Sequence, residues 1–368
     1  MKDADQNPVL ELDDLLRFTM EHRGSDLHLK AGSPPYVRVD GRLVAAPFDP
    51  VTPEDTERIT DAVTPPARAE ELRANGESDF ALSLPGLGRF RVHVFRQRGS
   101  IGLVVRRVLM GMPPFETLGL PSSITRLADE LRGLVIVSGP TGSGRTTTAA
   151  AMVDHINETR AVNIVTIEDP IEVLHSDKTA IVNQRELGTD VTDYASALRR
   201  VTRQDPDVIL IGEIVDGATA DSALAAASTG HLVIGVMRAT RSAETIARLL
   251  AMLPPHQQAQ ARHTLAGCLR GVISQALLER ADGRGRVPAV EVLVWTSRVF
   301  DAIVRPDTPT AELEAVMADG EYYGMQTFDQ SLLNLYKNGL VSLRDVLAAS
   351  NDAHEFRIAL TTAGLVPS

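Results

Sequence analysis

The chain has 368 residues, 43% hydrophobic and 23% charged, which is the make-up of a globular protein long enough for two domains with cores of their own. A net charge of −11 at pH 7 argues against a non-specific binder of nucleic acid or of anionic membranes. The single cysteine, Cys268, excludes an internal disulfide and any multi-cysteine zinc site. Met1-Lys-Asp-Ala-Asp has no apolar signal core behind it and no run approaches the length of a membrane span, so the expectation is a cytoplasmic protein without direct membrane insertion.

In chain order, Leu12, Leu15, Leu16 and Met20 fall on one face of an N-terminal helix that stops near Arg23-Gly24. Leu27 and Leu29 alternate with polar residues, the pattern of a half-buried strand over 25–30. Residues 36–44 read as a hairpin with Asp40-Gly41 at its turn. Thr52 caps a helix that runs to about Val63, and a second short helix follows Pro66. Strands over 78–84, 89–98 and 101–108 complete an α+β unit with an antiparallel sheet, spanning residues 1–110. The proline-rich stretch 111–121 reads as a linker. Residues 122–368 then alternate strand and helix: strand 133–138, helix 146–157, strands 163–167 and 180–183, helix 193–203, strand 208–212, helix 217–228 and strand 231–236. That alternation predicts an α/β fold with a mostly parallel sheet. From Ser242 onward the pattern reads as mainly helical, with one strand at 289–294.

The strand at 133–138 breaks into Gly139-Pro140-Thr141-Gly142-Ser143-Gly144-Arg145-Thr146-Thr147 and then into a helix, which is the setting of a phosphate-binding loop. Glycines let the backbone N–H groups wind around a phosphate, and the helix points its positive N-terminal end at the same place. The Thr146 hydroxyl is placed to meet Mg²⁺. The glycine order does not fit the dinucleotide fingerprint G-x-G-x-x-G, and a plain glycine-rich turn is the competing reading. The spacing of the loop is met, but its lysine position holds Arg145.

Three further features lie at ends of expected strands. Residues 163–168 end in the paired carboxylates Glu168 and Asp169, residues 205–213 end in the lone Glu213, and His231 opens the strand at 231–236. Phosphoryl transfer to water needs Mg²⁺ near the phosphates, a carboxylate to orient the water and a donor that senses the γ-phosphate. Glu168, Glu213 and His231 supply these chemical types, although each taken singly is a common solvated residue.

Ser25-Asp-Leu-His-Leu-Lys, Arg89-Phe-Arg-Val, Gly139-Pro-Thr-Gly-Ser-Gly, Thr166-Ile-Glu-Asp-Pro-Ile-Glu172, Asp205-Pro-Asp-Val-Ile-Leu-Ile-Gly-Glu213, Thr229-Gly-His231, Val272-Ile-Ser-Gln275 and Gly324-Met-Gln-Thr-Phe-Asp-Gln330 occur in this order. Together they resemble the type IV pilus retraction ATPases of the PilT and PilU kind, over nearly the whole chain. The resemblance implies a PAS-like N-terminal domain and a RecA-like P-loop ATPase domain with a helical C-terminal extension. It also implies ATP and Mg²⁺ as ligands and a homo-hexameric ring with ATP between the two domains. The ring would act alone, or mixed with or stacked on a paralogous ATPase, at an inner-membrane pilus platform protein, with no nucleic acid partner. By the same resemblance, Arg91, Arg98 and Arg106 correspond to arginines that clamp the phosphates, and the expected work is pilus retraction and twitching motility at the inner face of the cytoplasmic membrane.

The chain departs from that family's pattern at Arg145, at Val215 where an arginine stands, at Arg238 where the second histidine of the Thr229–Val236 box region stands, and at residues 296–304, where retraction motors carry a motif beginning Ala-Ile-Arg-Asn-Leu. A guanidinium is longer, planar and forked where an ammonium is compact. These departures leave two readings open, a divergent motor subunit or a nucleotide-binding accessory subunit that hydrolyses poorly. A third, an assembly or secretion ATPase of the same superfamily, commonly has a tetracysteine zinc segment that one cysteine cannot build.

Overall fold

The computed structural model describes residues 10–39, 41–305 and 310–366, which divide into two compact units at the Met110–Gly111 bond. Met1 to Asp5 and the Asp40 half of the expected Asp-Gly turn lie outside the described residues.

The first unit comprises α1 (Leu12–Glu21), β1 (Asp26–Lys30), β2 (Tyr36–Val39), β3 (Arg42–Ala45), α2 (Pro53–Val63), α3 (Pro66–Asn75), β4 (Glu77–Leu84), β5 (Gly88–Gln97) and β6 (Ser100–Arg107). Its six strands form an antiparallel sheet in the order β3-β2-β1-β6-β5-β4. Leu12, Leu15 and Leu16 of α1 bury against Leu27, Val92, Leu103 and Val105 of the strands. Thr52 and Asp55 cap α2 reciprocally, side chain to backbone in both directions, a device worth about 1 kcal/mol. Arg98 and Gly99, at φ +48° and +83°, make the tight turn between β5 and β6.

The second unit is built on a seven-stranded sheet. Its strands are β7 (Gly133–Ser138), β8 (Asn163–Glu168), β9 (Ile181–Glu186), β10 (Val208–Ile211), β11 (Leu232–Met237), β12 (Leu269–Glu279) and β13 (Arg286–Val294), in the order β9-β8-β10-β11-β7-β12-β13. All neighbours pair in parallel except β12 and β13, which form an antiparallel hairpin. Alternate residues of each strand feed two different cores, because side chains of a strand point to opposite faces in turn. Leu134, Ile136, Val165, Ile209 and Val233 join one core, whereas Val135, Val137, Ile164, Val208 and Leu232 join the other. The first core is closed by α6 (Tyr194–Val201), α7 (Gly217–Ser228), α8 (Ser242–Ala251), α9 (Pro255–Cys268), α10 (Ser297–Val304) and α11 (Thr310–Ala318), and the second by α4 (Ser122–Ala128) and α5 (Arg145–Thr159). The helices α12 (Phe328–Lys337), α13 (Leu343–Ala349) and α14 (Ala353–Thr362) pack Phe328, Leu332, Val346 and Phe356 against Val287 and Ala289 of β13.

Two expectations need correction. The region after Ser242 holds two strands, and the missed one, β12, lies beside β7 in the middle of the site-bearing sheet. The stretch 111–121 is not a free linker, since Phe115 and Leu120 pack against the second unit's core and a 3₁₀ turn at Phe115–Leu118 leads into α4. Among the described residues no helix is long and apolar enough to cross a membrane.

Candidate active site

Every residue of β7 is buried, and its C-terminal end delivers Gly139 into the loop at the mouth of the sheet. A Cβ on Gly139 would lie 2.3 Å from Ser143 Oγ and 2.4 Å from the Gln275 carbonyl oxygen, so only glycine fits there. Gly144, at φ +89°, is the N-cap of α5, whose first turn carries Arg145, Thr146 and Thr147. Thr146 is half-buried and Thr147 exposed, while Thr148 turns inward. From β12, the buried Gln275 accepts from Thr148 Oγ1 at 2.8 Å and donates from Nε2 to the Ser143 carbonyl at 2.7 Å. One amide thereby pins the loop to its helix. Arg286 of β13 reaches the Gly142 carbonyl at 3.5 Å.

Parallel neighbours end at the same edge, so the sheet brings the ends of β8 and β10 beside the loop. Glu168 closes β8 and is buried, accepting from Thr166 Oγ1 at 2.6 Å and from Gln184 Nε2 at 3.0 Å. Burial pushes its carboxyl above the usual range despite those donors. Asp169, next in the chain, is exposed. Glu213 follows β10 by two residues. Between the two carboxylate groups stands Tyr194, the first residue of α6, which sequence reasoning passed over. Its hydroxyl accepts from the Glu213 backbone, and the same hydroxyl oxygen stands where a Cβ on Gly212 would be 3.1 Å away. Burial, then the charges of Asp169, Glu213 and Glu168, push the phenol well up and keep it a neutral donor.

Arg145 reaches the neighbouring strand, where it donates from Nη1 to the Met237 carbonyl, at the end of β11, at 3.0 Å. Burial lowers the basicity of its guanidinium, against the attraction of Glu213 and with the repulsion of Arg238. Arg238 follows Met237, which is in register with Ser138, so it stands level with the first loop glycine. Its guanidinium grips Glu213 with both arms, Nε to Oε1 and Nη2 to Oε2, the latter at 3.0 Å. Val215, at the other changed position, is 52% exposed.

His231 is not brought to this edge. It precedes β11, whose first residue Leu232 is in register with Gly133, and its carbonyl accepts from Gly133 N at 2.9 Å. A six-residue strand at about 3.3 Å per residue puts it roughly 20 Å from the loop, on the opposite rim of the sheet. Its Nδ1 lies 3.0 Å from the Ala226 carbonyl and 3.3 Å from Thr229 Oγ1, a local cap of α7. The residue that β11 delivers to the edge of the loop is Arg238, just past its last residue Met237. In the first unit, Arg91 and Arg106 face each other across β5 and β6, each exposed and flanked by an acid, Asp79 at 3.7 Å and Asp26 at 2.6 Å. Arg98 is seven residues from Arg91, in the turn at the far end of that hairpin.

The loop fits a nucleotide. Ser143 Oγ is buried inside it with no hydrogen-bond partner, and its backbone is closed to any residue larger than glycine at Gly139. Mg²⁺ fits as well, because Thr146, half-buried in the first turn of α5, and Asp169, exposed just past the end of β8, present oxygens at the edge that carries the loop. That ion is ordinarily held by one or two protein oxygens together with phosphates and waters, and Thr146, Glu168 and Asp169 are the oxygens at hand.

Residues 111–318 match the model of the type II/IV secretion system protein family. The chain is 38% identical to the type IV pilus ATPase PilU of Pseudomonas aeruginosa, covering 95% of this chain and 91% of that protein. It is 39% identical to the type IV pilus retraction ATPase PilT of the same organism, over 90% and 96%. A crystal structure of the pilus retraction motor PilT with bound ADP superposes with a TM-score of 0.85 at 41% identity, covering 94% of this chain and 98% of that one. With the loop and the two strand-end carboxylates in place, the chain belongs to the type II/IV secretion system protein family, among the PilT and PilU pilus ATPases.

Proposed function

We propose that this chain is a Mg²⁺-dependent ATPase subunit of a type IV pilus machine and works in pilus retraction, as a homo-hexamer docked on an inner-membrane platform protein. In this reading the first unit is PAS-like and the second RecA-like. The observation that carries it is the convergence, on one edge of the sheet, of the loop from β7, Glu168 from β8 and Glu213 after β10. The N–H groups of residues 139–146 bind the phosphates, and the N-terminus of α5 adds its dipole. Thr146, Glu168 and Asp169 hold Mg²⁺, which when bound neutralises phosphate charge. Glu213 orients the attacking water, with its backbone anchored by Tyr194. Arg91, Arg98 and Arg106 supply charge from the first unit in the assembled ring. Domain motion driven by turnover supplies the force.

The arginines at 145 and 238 favour a second reading, an accessory subunit that binds nucleotide and relies on an intact motor. Steady-state ATPase measurement on the purified protein, alone and mixed with a lysine-bearing paralogue, separates the two. Turnover by the protein alone supports the motor. Turnover that appears only in the mixture supports the accessory role. Light scattering should show a ring favoured by Mg-ATP, and an unchanged monomer in both conditions contradicts a ring motor.

A further inference from the structure

The Arg238–Glu213 pair has a geometry unlike an ordinary surface ion pair. Both arms of one guanidinium meet both oxygens of one carboxylate, and that carboxylate is the strand-end acid beside the loop. A bidentate pair fixes the plane of the carboxylate and neutralises the charge with which it would polarise a water. The Glu213 side chain is 24% exposed and the Arg238 side chain 60% exposed, so the arginine is the mobile, solvated partner and the acid the anchored one. Tyr194 stands against the Glu213 backbone, which adds a contact to the main chain that carries the acid. Arg238 itself emerges at the end of β11, with its carbonyl fixed by Arg248 Nη1 at 2.7 Å. Release of the grip is therefore a side-chain event at Arg238.

The geometry points to Arg238 as a positioning residue that holds Glu213 away from the attacking water, so that turnover scales with the fraction of sites in which this pair is open. This rests on Glu213 being the water-orienting carboxylate. It adds an arginine latch on that acid, whose effect on turnover multiplies with that of the substitution at Arg145 and is separate from it. Phosphate binding at the loop does not depend on the latch, since the loop's N–H groups and the first turn of α5 make no bond to Arg238 among those described.

The test is ATP hydrolysis by the full-length protein with Arg238→Ala and Arg238→Lys, each alone and combined with Glu213→Gln. A charge-assisted bidentate pair in a partly solvated setting corresponds to about tenfold in an equilibrium. Arg238→Ala should therefore raise kcat about tenfold with KM for ATP changed less than threefold. Arg238→Lys keeps the charge without the fork and should fall between the parent and Arg238→Ala. At saturating ATP, raising salt should speed the parent and leave Arg238→Ala unaffected, because screening loosens an exposed pair. A purely structural arginine would produce neither the kcat-only gain nor the loss of salt sensitivity. If Arg238→Ala is no faster than the parent while binding a fluorescent ATP analogue normally, the latch is overturned. Should Arg238→Ala lose nucleotide binding through misfolding, Arg238→Lys decides: faster than the parent supports the latch, equal or slower overturns it. Parent-level turnover in Glu213→Gln would instead count against the underlying reading of Glu213, and that outcome is recognisable because it needs no change at position 238.

Discussion

Arg145 keeps a positive charge at the loop's lysine position but directs it to a different partner. The lysine of a phosphate loop delivers a compact charge between β- and γ-phosphates, whereas this guanidinium spans the edge of the sheet to the Met237 carbonyl. Loop N–H groups and the helix end still provide a phosphate site, so nucleotide binding should survive. Preorganised charge at a transition state is typically worth a few kcal/mol, on the order of a hundredfold in rate. Arg145→Lys should raise kcat by up to about that factor while nucleotide affinity changes far less; steady-state kinetics with a parallel binding titration reads both. A fall in kcat on this change would mean that the site is adapted to the guanidinium. The placement of the loop, Glu168 and Glu213 at strand ends was legible in the sequence because each is a local pattern, an apolar strand that runs into a polar residue or a glycine. His231 was misplaced for the same reason: a residue at the start of a parallel strand sits on the far rim, and only strand direction and register reveal it. Tyr194 gave no signal, because its partnership with Glu213 is purely tertiary.

At the scale of elements, β12 ties the helical C-terminal half to the loop. It was illegible for a physical reason: α9 runs into it directly at Cys268–Leu269 with no intervening loop, Gly267 lying inside the helix rather than ending it, and Ala276-Leu-Leu-Glu279 suits a helix as well as a strand. Gln275→Ala should therefore act as both a fold and a site lesion. It leaves Thr148 Oγ1 and the Ser143 carbonyl without this partner in a buried setting, a cost of about 3 kcal/mol in urea unfolding, and it should loosen nucleotide binding. Unchanged stability would mean that water replaces the amide. The joint between β13 and α8 makes a pH prediction. Glu291 is buried and accepts from Ser242 N at 2.6 Å, at the start of α8. The helix end favours the carboxylate, but burial outweighs it and raises the carboxyl above its ordinary value. The folded state thus binds the proton more tightly than the unfolded chain, so stability falls as pH rises from the unfolded value to the folded one, and the loss is complete above the folded one. Glu291→Gln keeps an acceptor for Ser242, and should flatten this part of the Tm-against-pH curve and raise Tm at pH 8. Parallel curves for the parent and Glu291→Gln would show that Glu291 does not titrate in this way.

For the whole molecule, the alternation of strands and helices after residue 122 and the antiparallel pattern before 110 were readable because each unit repeats one period. What joins them to a function is the common direction of six strands, which gathers loop and carboxylates from distant segments at one edge. The account stands on that edge hydrolysing ATP through Glu213. Its most direct test is phosphate release by the purified protein against Glu213→Gln, with binding of a fluorescent ATP analogue measured on both. The amide keeps the shape of the side chain and loses the charge that orients water, so the account predicts hydrolysis by the parent and retained binding without hydrolysis in Glu213→Gln. Equal phosphate release from the two proteins would contradict it.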